Sequence, residues 1–572
     1  MPLLLDNLYT EIPRLLLRLA ALVALAGITI VTVNYVKVLS LRRRLPPGPF
    51  PLPVVGNHYH IPHPKPWIKF EEWSRQYDNP MITIWLGSKP VIVLNDAWTA
   101  SDLLEKRADI YSSRPHMIAM GDLINATETN QTTLVYGDRW RLHRKLTVSP
   151  LITPTLAYLR AHEVPQHSVV GSQAVRNYRS FQGDESKILT QDLLADPDDY
   201  VMSIERYSVS TVSIVGWGRR ISRKNDYVAQ KALEGMEAVN LIIPGYLLLE
   251  SLPVLAKLPS WLYRLPSMLR AHSSANWAYF YALSEESAAA PAGAPASFAR
   301  TLLREQRAHG LGDVEVAALA TNLVGGGVDT TSSSLVSAVL AACVFPDVQR
   351  RAQAELDAVV GHARSPTADD EPRLPYLQAL VKEILRWRTV TVLGGIPHAP
   401  LRDDEYRGYR IPRGTQITCN VWAIHRHPRE FPDPDVVVPE RYLGGLKFEY
   451  PNSRGHNAFG WGRRQCSGQP LAEQSLFMVV ARLLWAFRVE PGLDENGNGE
   501  KLDVFAYSDS ENMRPLPFKA RFTPRSEGIR ELLEREAAEA RERLKVYDGE
   551  TKLTVESVLA GKAAPKKALA TL

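Results

Sequence analysis

The chain has 572 residues, 45% of them hydrophobic and 23% charged, with 67 Lys+Arg against 62 Asp+Glu for a net charge of +5. That composition excludes a disordered or collagen-like chain, and so mild a basic excess on so large a surface does not point to a nucleic-acid partner. At about 150 residues per domain the length suggests three or four domains. Three cysteines, Cys343, Cys419 and Cys466, exclude a disulfide framework and leave at least one thiol unpaired.

From Leu19 to Val36 the chain carries no charge, and Leu15 to Leu17 extend the apolar run if Arg18 snorkels toward the headgroups. At ~1.5 Å per residue the stretch from Leu15 to Val36 spans about 33 Å, which matches a hydrocarbon core of about 30 Å. One N-terminal transmembrane helix is expected. A cleaved signal peptide would need a shorter apolar core and a small-residue cleavage site, whereas this run ends in Lys37 and Arg42-Arg43-Arg44. The positive-inside rule puts that cluster and the chain after it in the cytoplasm. Leu45-Pro46-Pro47-Gly48-Pro49 cannot continue a helix and reads as a stiff hinge between anchor and body.

In the body, residues 81–94 alternate and break at Gly87-Ser88, a strand-turn-strand signal. His58, His60 and His63 lie in a Pro-rich approach with no carboxylate nearby and are read as a loop without a metal. Trp140 and Arg144 share one helical face and offer an indole N–H and a guanidinium to one anion. From about Glu163 to Gly361 the pattern is mostly helical, interrupted at Pro244 to Pro266 and Ala288 to Ala296. Residues 313–345 read as one long helix containing Gly325-Gly326-Gly327-Val328-Asp329-Thr330-Thr331. Three glycines in a helix cost ~1 kcal/mol each relative to Ala, so they need a reason: close approach of a ligand or cofactor, with local widening of the helix. The acid and hydroxyl beside them suit proton relay, and the missing Gly-Lys-Ser/Thr ending excludes a P-loop.

Residues 373–388 predict another helix, in which Glu383 and Arg386 stand at i,i+3. Residues 398–450 are rich in Pro, Gly, Asp and Arg with short strands, and include His398 and Pro439-Glu440-Arg441-Tyr442. The most informative stretch is Phe459-Gly460-Trp461-Gly462-Arg463-Arg464-Gln465-Cys466-Ser467-Gly468, followed by an apolar helix to about Phe487. A cysteine just before a helix N-terminus has its thiolate stabilised by the dipole and free N–H groups, which lowers its pKa and suits a metal ligand. Structural zinc wants four ligands, and no second cysteine stands nearby; a single thiolate on porphyrin iron fits better. The stretch from Ser526 to Lys545 is charged and helix-prone, with Glu531/Arg535 and Glu539/Arg543 at i,i+4, and is expected to be a solvated helix or semi-ordered extension.

Phe459 to Gly468 fits Phe-x-x-Gly-x-Arg-x-Cys-x-Gly and resembles the haem-binding signature of the cytochrome P450 monooxygenases, with Ser467 where the family usually has an apolar residue. Residues 326–331 resemble that family's oxygen-activation motif, and Glu383, Arg386 and Arg441 resemble its Glu-x-x-Arg pair with a third partner. The resemblance spans about residues 45–525 and implies a mainly α-helical fold with a small β-rich lobe. It divides the chain into an anchor with basic stop (1–44), one catalytic domain (45–525) and a charged C-terminal extension (526–572). It implies haem b ligated by Cys466, with Phe459, Gly462 and Gly468 shaping the loop and Arg464, Trp140, Arg144 and His398 meeting the propionates. Thr330 would hydrogen-bond dioxygen, Asp329 would help deliver protons, and Glu383, Arg386 and Arg441 would lock the core beneath the haem.

The implied reaction inserts one oxygen atom of O2 into a hydrophobic small molecule, a terpenoid or polyketide intermediate. The motifs resemble fungal members serving secondary metabolism. Because the chain ends soon after this body, electrons from NADPH are expected through a separate NADPH-cytochrome P450 reductase, at the endoplasmic reticulum membrane with the catalytic domain on the cytoplasmic side. Substrate is expected to meet residues 111–136, 241–265, the helix face before Gly325, and 389–396. A haem-thiolate isomerase or dehydratase, or a haem sensor, are the alternatives, against which Asp329-Thr330 argues.

Overall fold

The computed structural model describes residues 2–62, 64–148, 172–242, 248–291 and 293–561. Helix α1 (Pro2–Arg42) contains the apolar run, and over Arg14–Arg42 its mean hydropathy reaches 2.3 with no burial of the most apolar window. Beyond Tyr35 its surroundings change. Val38 and Leu45 are buried, Arg42 donates to the Gly48 carbonyl (3.2 Å), and Thr83 N donates to the Pro47 carbonyl (2.8 Å). The proline segment expected to be a hinge is therefore fastened along the body.

Strands are few and short. Strands β1 (Met81–Leu86) and β2 (Lys89–Leu94) form the hairpin expected around Gly87-Ser88, with Met81 opposite Leu94. Strands β3 (Asp404–Tyr406) and β4 (Tyr409–Ile411) form a second hairpin whose two turn residues, Arg407 and Gly408, have φ of 51° and 79°. Strand β5 (Gln416–Cys419) adds parallel to β2, giving the order β1-β2-β5, and β6 (Phe487–Pro491) pairs antiparallel with β7 (Ala520–Pro524).

The rest is mainly helical, as expected. Along the chain come α2 (Pro66–Gln76), α3 (Asp138–Val148), α4 (Ser172–Ala195), α5 (Tyr200–Trp217), α6 (Tyr227–Ile242), α7 (Leu265–Ala288), α8 (Phe298–Glu305), α9 (Asp313–Val344), α10 (Pro346–Val359), α11 (Pro375–Trp387), α12 (Gln469–Ala486) and α13 (Glu527–Leu544). Residues 163–171, 243–247, Ala292, His63 and 562–572, on which some sequence expectations fall, lie outside the described residues. Pro346, Pro375 and Pro470 stand in the first turns of α10, α11 and α12, where the missing N–H costs nothing.

Helix α9 runs through the middle. It is apolar enough to pass for a membrane span, yet 83% of its most apolar window is buried, against α5, α6, α7 and α12. Its start is fixed by Glu315, whose carboxylate accepts from Gly312 N (2.8 Å), from Arg139 Nε (2.6 Å) and from His143 Nε2 (3.0 Å), the last two reaching across from α3. Helix α9 is regular α-helix throughout, without the widening expected at the glycines.

Helix α13 corrects the reading of a solvated extension. Ile529, Leu532, Leu533, Ala537, Ala540 and Leu544 recur at three- and four-residue spacing and are buried, joining the cores that α4 and α12 build. Arg543 clasps Asp184 of α4 with two hydrogen bonds of 2.9 and 2.7 Å, and Glu536 pairs with Arg482 of α12 (3.3 Å).

Candidate active site

A cavity of about 480 Å³ lies where α9, α12, α3 and the loops before them meet, and it gathers Trp140, Arg144, Thr330, His398, Phe459, Arg464, Cys466 and Gly468. Of the remaining predicted residues, Gly462 and Asp329 stand behind its wall, and Glu383, Arg386 and Arg441 lie in the core.

The loop from Phe459 to Gly468 is shaped by its backbone. Gly462 has φ +52°, and a Cβ there would meet the Leu104 carbonyl oxygen at 2.2 Å, so no side chain fits. Cys466 N donates to the Phe459 carbonyl (2.9 Å), which turns the thiol onto the cavity just ahead of α12. Cys466 opens on that cavity, while Cys343 and Cys419 are buried in the protein. Burial pushes the Cys466 thiol up, opposed by the N–H groups of Gly468 and Gln469 and by Arg144. The helix-end donors expected from the sequence are present, but desolvation outweighs them. A bound metal ion reverses that balance, because a coordinating thiol is deprotonated outright.

The electrostatics of this wall are unusual. Arg464 donates to the carbonyls of Ser112 (2.7 Å), Gln131 (3.1 Å) and Leu134 (2.5 Å), and its guanidinium lies 4.5 Å over the Trp140 ring. Arg114, between Ser113 and Pro115, donates to the carbonyls of Thr132, Ile396 and Pro397. Burial, and then repulsion from Arg114 and Arg144, lower the Arg464 pKa to about 8; burial lowers that of Arg114 to about 9 and also lowers that of Arg144. His398 is buried, its Nδ1 donates to the Tyr111 carbonyl (2.9 Å), and burial with the Arg114 charge holds it well below the usual imidazole range. Three partly buried cations thus share this wall, and among the described residues their hydrogen-bond partners include no carboxylate. Such a set is costly alone and is relieved by an anion. Arg114 was not singled out from the sequence, where a lone Arg before Pro carries no periodic signal.

On α9 the three glycines do different work. A Cβ on Gly327 would stand 2.3 Å from Val212 of α5, one on Gly325 3.0 Å from Met236 of α6, and one on Gly326 would meet nothing and faces the cavity. Thr330 lines the cavity and donates to the Gly326 carbonyl (2.6 Å). Asp329 is buried one residue behind; its Oδ2 accepts from Asn512 Nδ2 (2.9 Å).

Glu383 and Arg386 form a fully buried pair with two 2.7 Å bonds; Arg441 Nε and Val438 N also donate to Glu383, at 3.2 and 3.0 Å. Arg386 further donates to the carbonyls of His425 (3.0 Å) and Pro434 (2.9 Å), so the triad ties α11 to the loops that precede the cysteine.

The substrate-side wall departs partly from expectation. Residues of 114–132, the α9 face before Gly325 and 390–396 are present as expected. Among the described residues the segment 241–265 contributes nothing to it; α6, through Met236, and α7, through Leu269, Trp277 and Phe280, take its place. Glu511 and Asn512, also on this wall, were missed because only the folded turn brings them to 391–395.

A helical body with a single cysteine presented to a cation-walled cavity before a helix defines a haem-thiolate oxidoreductase. The chain belongs to the cytochrome P450 family, whose model, Cytochrome P450, matches residues 46–510. It is 33% identical over 534 residues to cytochrome P450 monooxygenase 58 of Postia placenta, covering 90% of this chain and 94% of that protein. It is 33% identical over 509 residues to tryptamine 4-monooxygenase of Psilocybe cyanescens, covering 85% and 94%. Cytochrome P450 monooxygenase FrzL of Cladobotryum is 34% identical over 505 residues. The chain is accordingly a haem-iron monooxygenase that depends on dioxygen.

Proposed function

We propose that this protein is a membrane-anchored monooxygenase with haem b, taking electrons from NADPH through a separate NADPH-cytochrome P450 reductase and oxidising a hydrophobic small molecule in fungal secondary metabolism. Residues 1–44 are the anchor, with α1 crossing the endoplasmic reticulum membrane and the body on its cytoplasmic side. The body begins at about residue 45, and α13 belongs with it although it lies past residue 525.

The observation that carries the reading is the wall of Arg114, Arg144 and Arg464, whose partly buried charges have no carboxylate partner among the described residues while Cys466 faces the same cavity. A dianionic porphyrin fits that donor set. Cys466 would hold its iron, Arg464, Arg114, Arg144, Trp140 and His398 its propionates, and Phe459, Gly462 and Gly468 would shape the approach. When bound, the haem supplies reductive activation of dioxygen. The chain's own part is to exclude water with Phe280, Met236 and Ile396, to hold a hydroxyl at Thr330 Oγ1, and to keep an acid at Asp329 within the protein. Glu383, Arg386 and Arg441 hold the frame behind the cysteine. The apolar wall favours a terpenoid or polyketide intermediate over a polar metabolite. Turnover with reductase, NADPH and 18O-labelled dioxygen on a panel of such compounds is expected to put one labelled oxygen into product; conversion without label would refute the monooxygenase reading.

A further inference from the structure

Asp329 does not stand among the polar groups of α9 alone. Its Oδ2 accepts from Asn512 Nδ2 at 2.9 Å, across 183 positions of sequence, and Ser333 Oγ, one turn further along α9, lies 3.5 Å from Oδ1. The Asn512 amide has its orientation fixed from both ends. Its Oδ1 accepts from Thr391 Oγ1 (3.3 Å), and reversing the amide would put its oxygen against the Asp329 carboxylate.

The turn that carries Asn512 is fastened to the loop after α11. Met513 N donates to the Val390 carbonyl (2.8 Å) and Val392 N to that of Glu511 (3.1 Å). Glu511, only 3% exposed, accepts on Oε1 from Leu393 N (3.1 Å) and Gly395 N (2.8 Å). Such a mooring leaves the amide little freedom. Asn512 itself lines the cavity and is buried, so its N–H reaches the acid from the substrate side. A carboxylate accepting a fixed amide N–H is held in one rotamer.

We propose that Asn512 is the positioning residue for Asp329, holding its carboxylate in one orientation for proton delivery beside Thr330, and that the 507–515 turn thereby joins the substrate-facing wall to the proton-delivering acid. The inference rests on the assignment of Asp329 as that acid. It acts through Asp329 and has no chemical step of its own.

The test uses the holoprotein with reductase and NADPH, following product formed per NADPH, peroxide released and the solvent deuterium isotope effect. Asn512→Leu is expected to lower product per NADPH roughly tenfold and to raise peroxide and the isotope effect, with the reduced CO spectrum unchanged. Asp329→Asn should do the same, and adding Asn512→Leu to Asp329→Asn should cost less than twofold more, because the two act as one unit. Asn512→Gln, which keeps the donor, should recover part of the coupling. Full additivity of the two changes, or normal coupling in Asn512→Leu while Asp329→Asn is uncoupled, would overturn the role of Asn512 alone. Normal coupling in Asp329→Asn would overturn the assignment of Asp329 and the inference with it. Should Asn512→Leu fail to take up haem, Asn512→Asp, which replaces the donor by an acceptor, carries the same comparison.

Discussion

Helices α1 and α9 pass the same test of length and apolar composition, with mean hydropathies of 2.3 and 1.3, yet one is bare and the other enclosed. The difference lies in side-chain size. Along α1 large chains such as Leu15, Leu17 and Val23 stand 66–70% exposed, with no protein packed over them among the described residues. Along α9 the Ala, Ser and Gly residues let α5, α6 and α7 close in, and Gly327 admits Val212 where no Cβ would fit. Hydropathy therefore ranks the two helices, while small residues decide which one gathers protein around it.

That contrast is open to breakage. Gly327→Val should have the largest effect: overpacking of this kind costs ~1–3 kcal/mol or more, and here it pushes α5 off the cavity wall. The expected outcome is loss of most haem-loaded protein in a haem-to-protein absorbance ratio, and normal loading would show that α9 tolerates a larger neighbour. Thr330→Ala comes next. It removes the hydroxyl from the cavity without disturbing packing, so loading stays normal while product per NADPH falls roughly tenfold and peroxide rises; unchanged coupling would make Thr330 a packing residue. The smallest effect on the body should come from deleting residues 2–34, which keeps Tyr35, whose hydroxyl donates to the Pro51 carbonyl (3.0 Å), and the buried Val38. Extraction from membranes without detergent should increase while haem loading and coupling remain those of the full chain; loss of loading would mean that α1 is part of the body.

Much of this was legible in the sequence. The β1–β2 hairpin, α9, α11, α12 and the cysteine loop all follow from local signals: a Gly-Ser turn between alternating strands, prolines at helix starts, glycines before a thiol. The triad of Glu383, Arg386 and Arg441 was legible as spacing, and its burial came only with the fold. Other features depend on tertiary closure. Arg114 joins Arg464 because the 112–134 loop wraps the cysteine segment, and Asn512 meets Asp329 because a turn docks on 390–395. Helix α13 is a different case: Ile529, Leu532, Leu533, Ala537, Ala540 and Leu544 stand at helical spacing, but the many charges between them mask the apolar stripe in the sequence. The direction of the Cys466 thiol was also not local, since helix-end donors and burial oppose each other and only the folded loop fixes the balance.

The most direct test of the central claim is the CO difference spectrum of the reduced full-length protein beside Cys466→Ala. The account predicts the red-shifted band of a thiolate-ligated haem in the native chain and its loss in Cys466→Ala. Absence of that band from a haem-loaded native protein, or its persistence without Cys466, would contradict it.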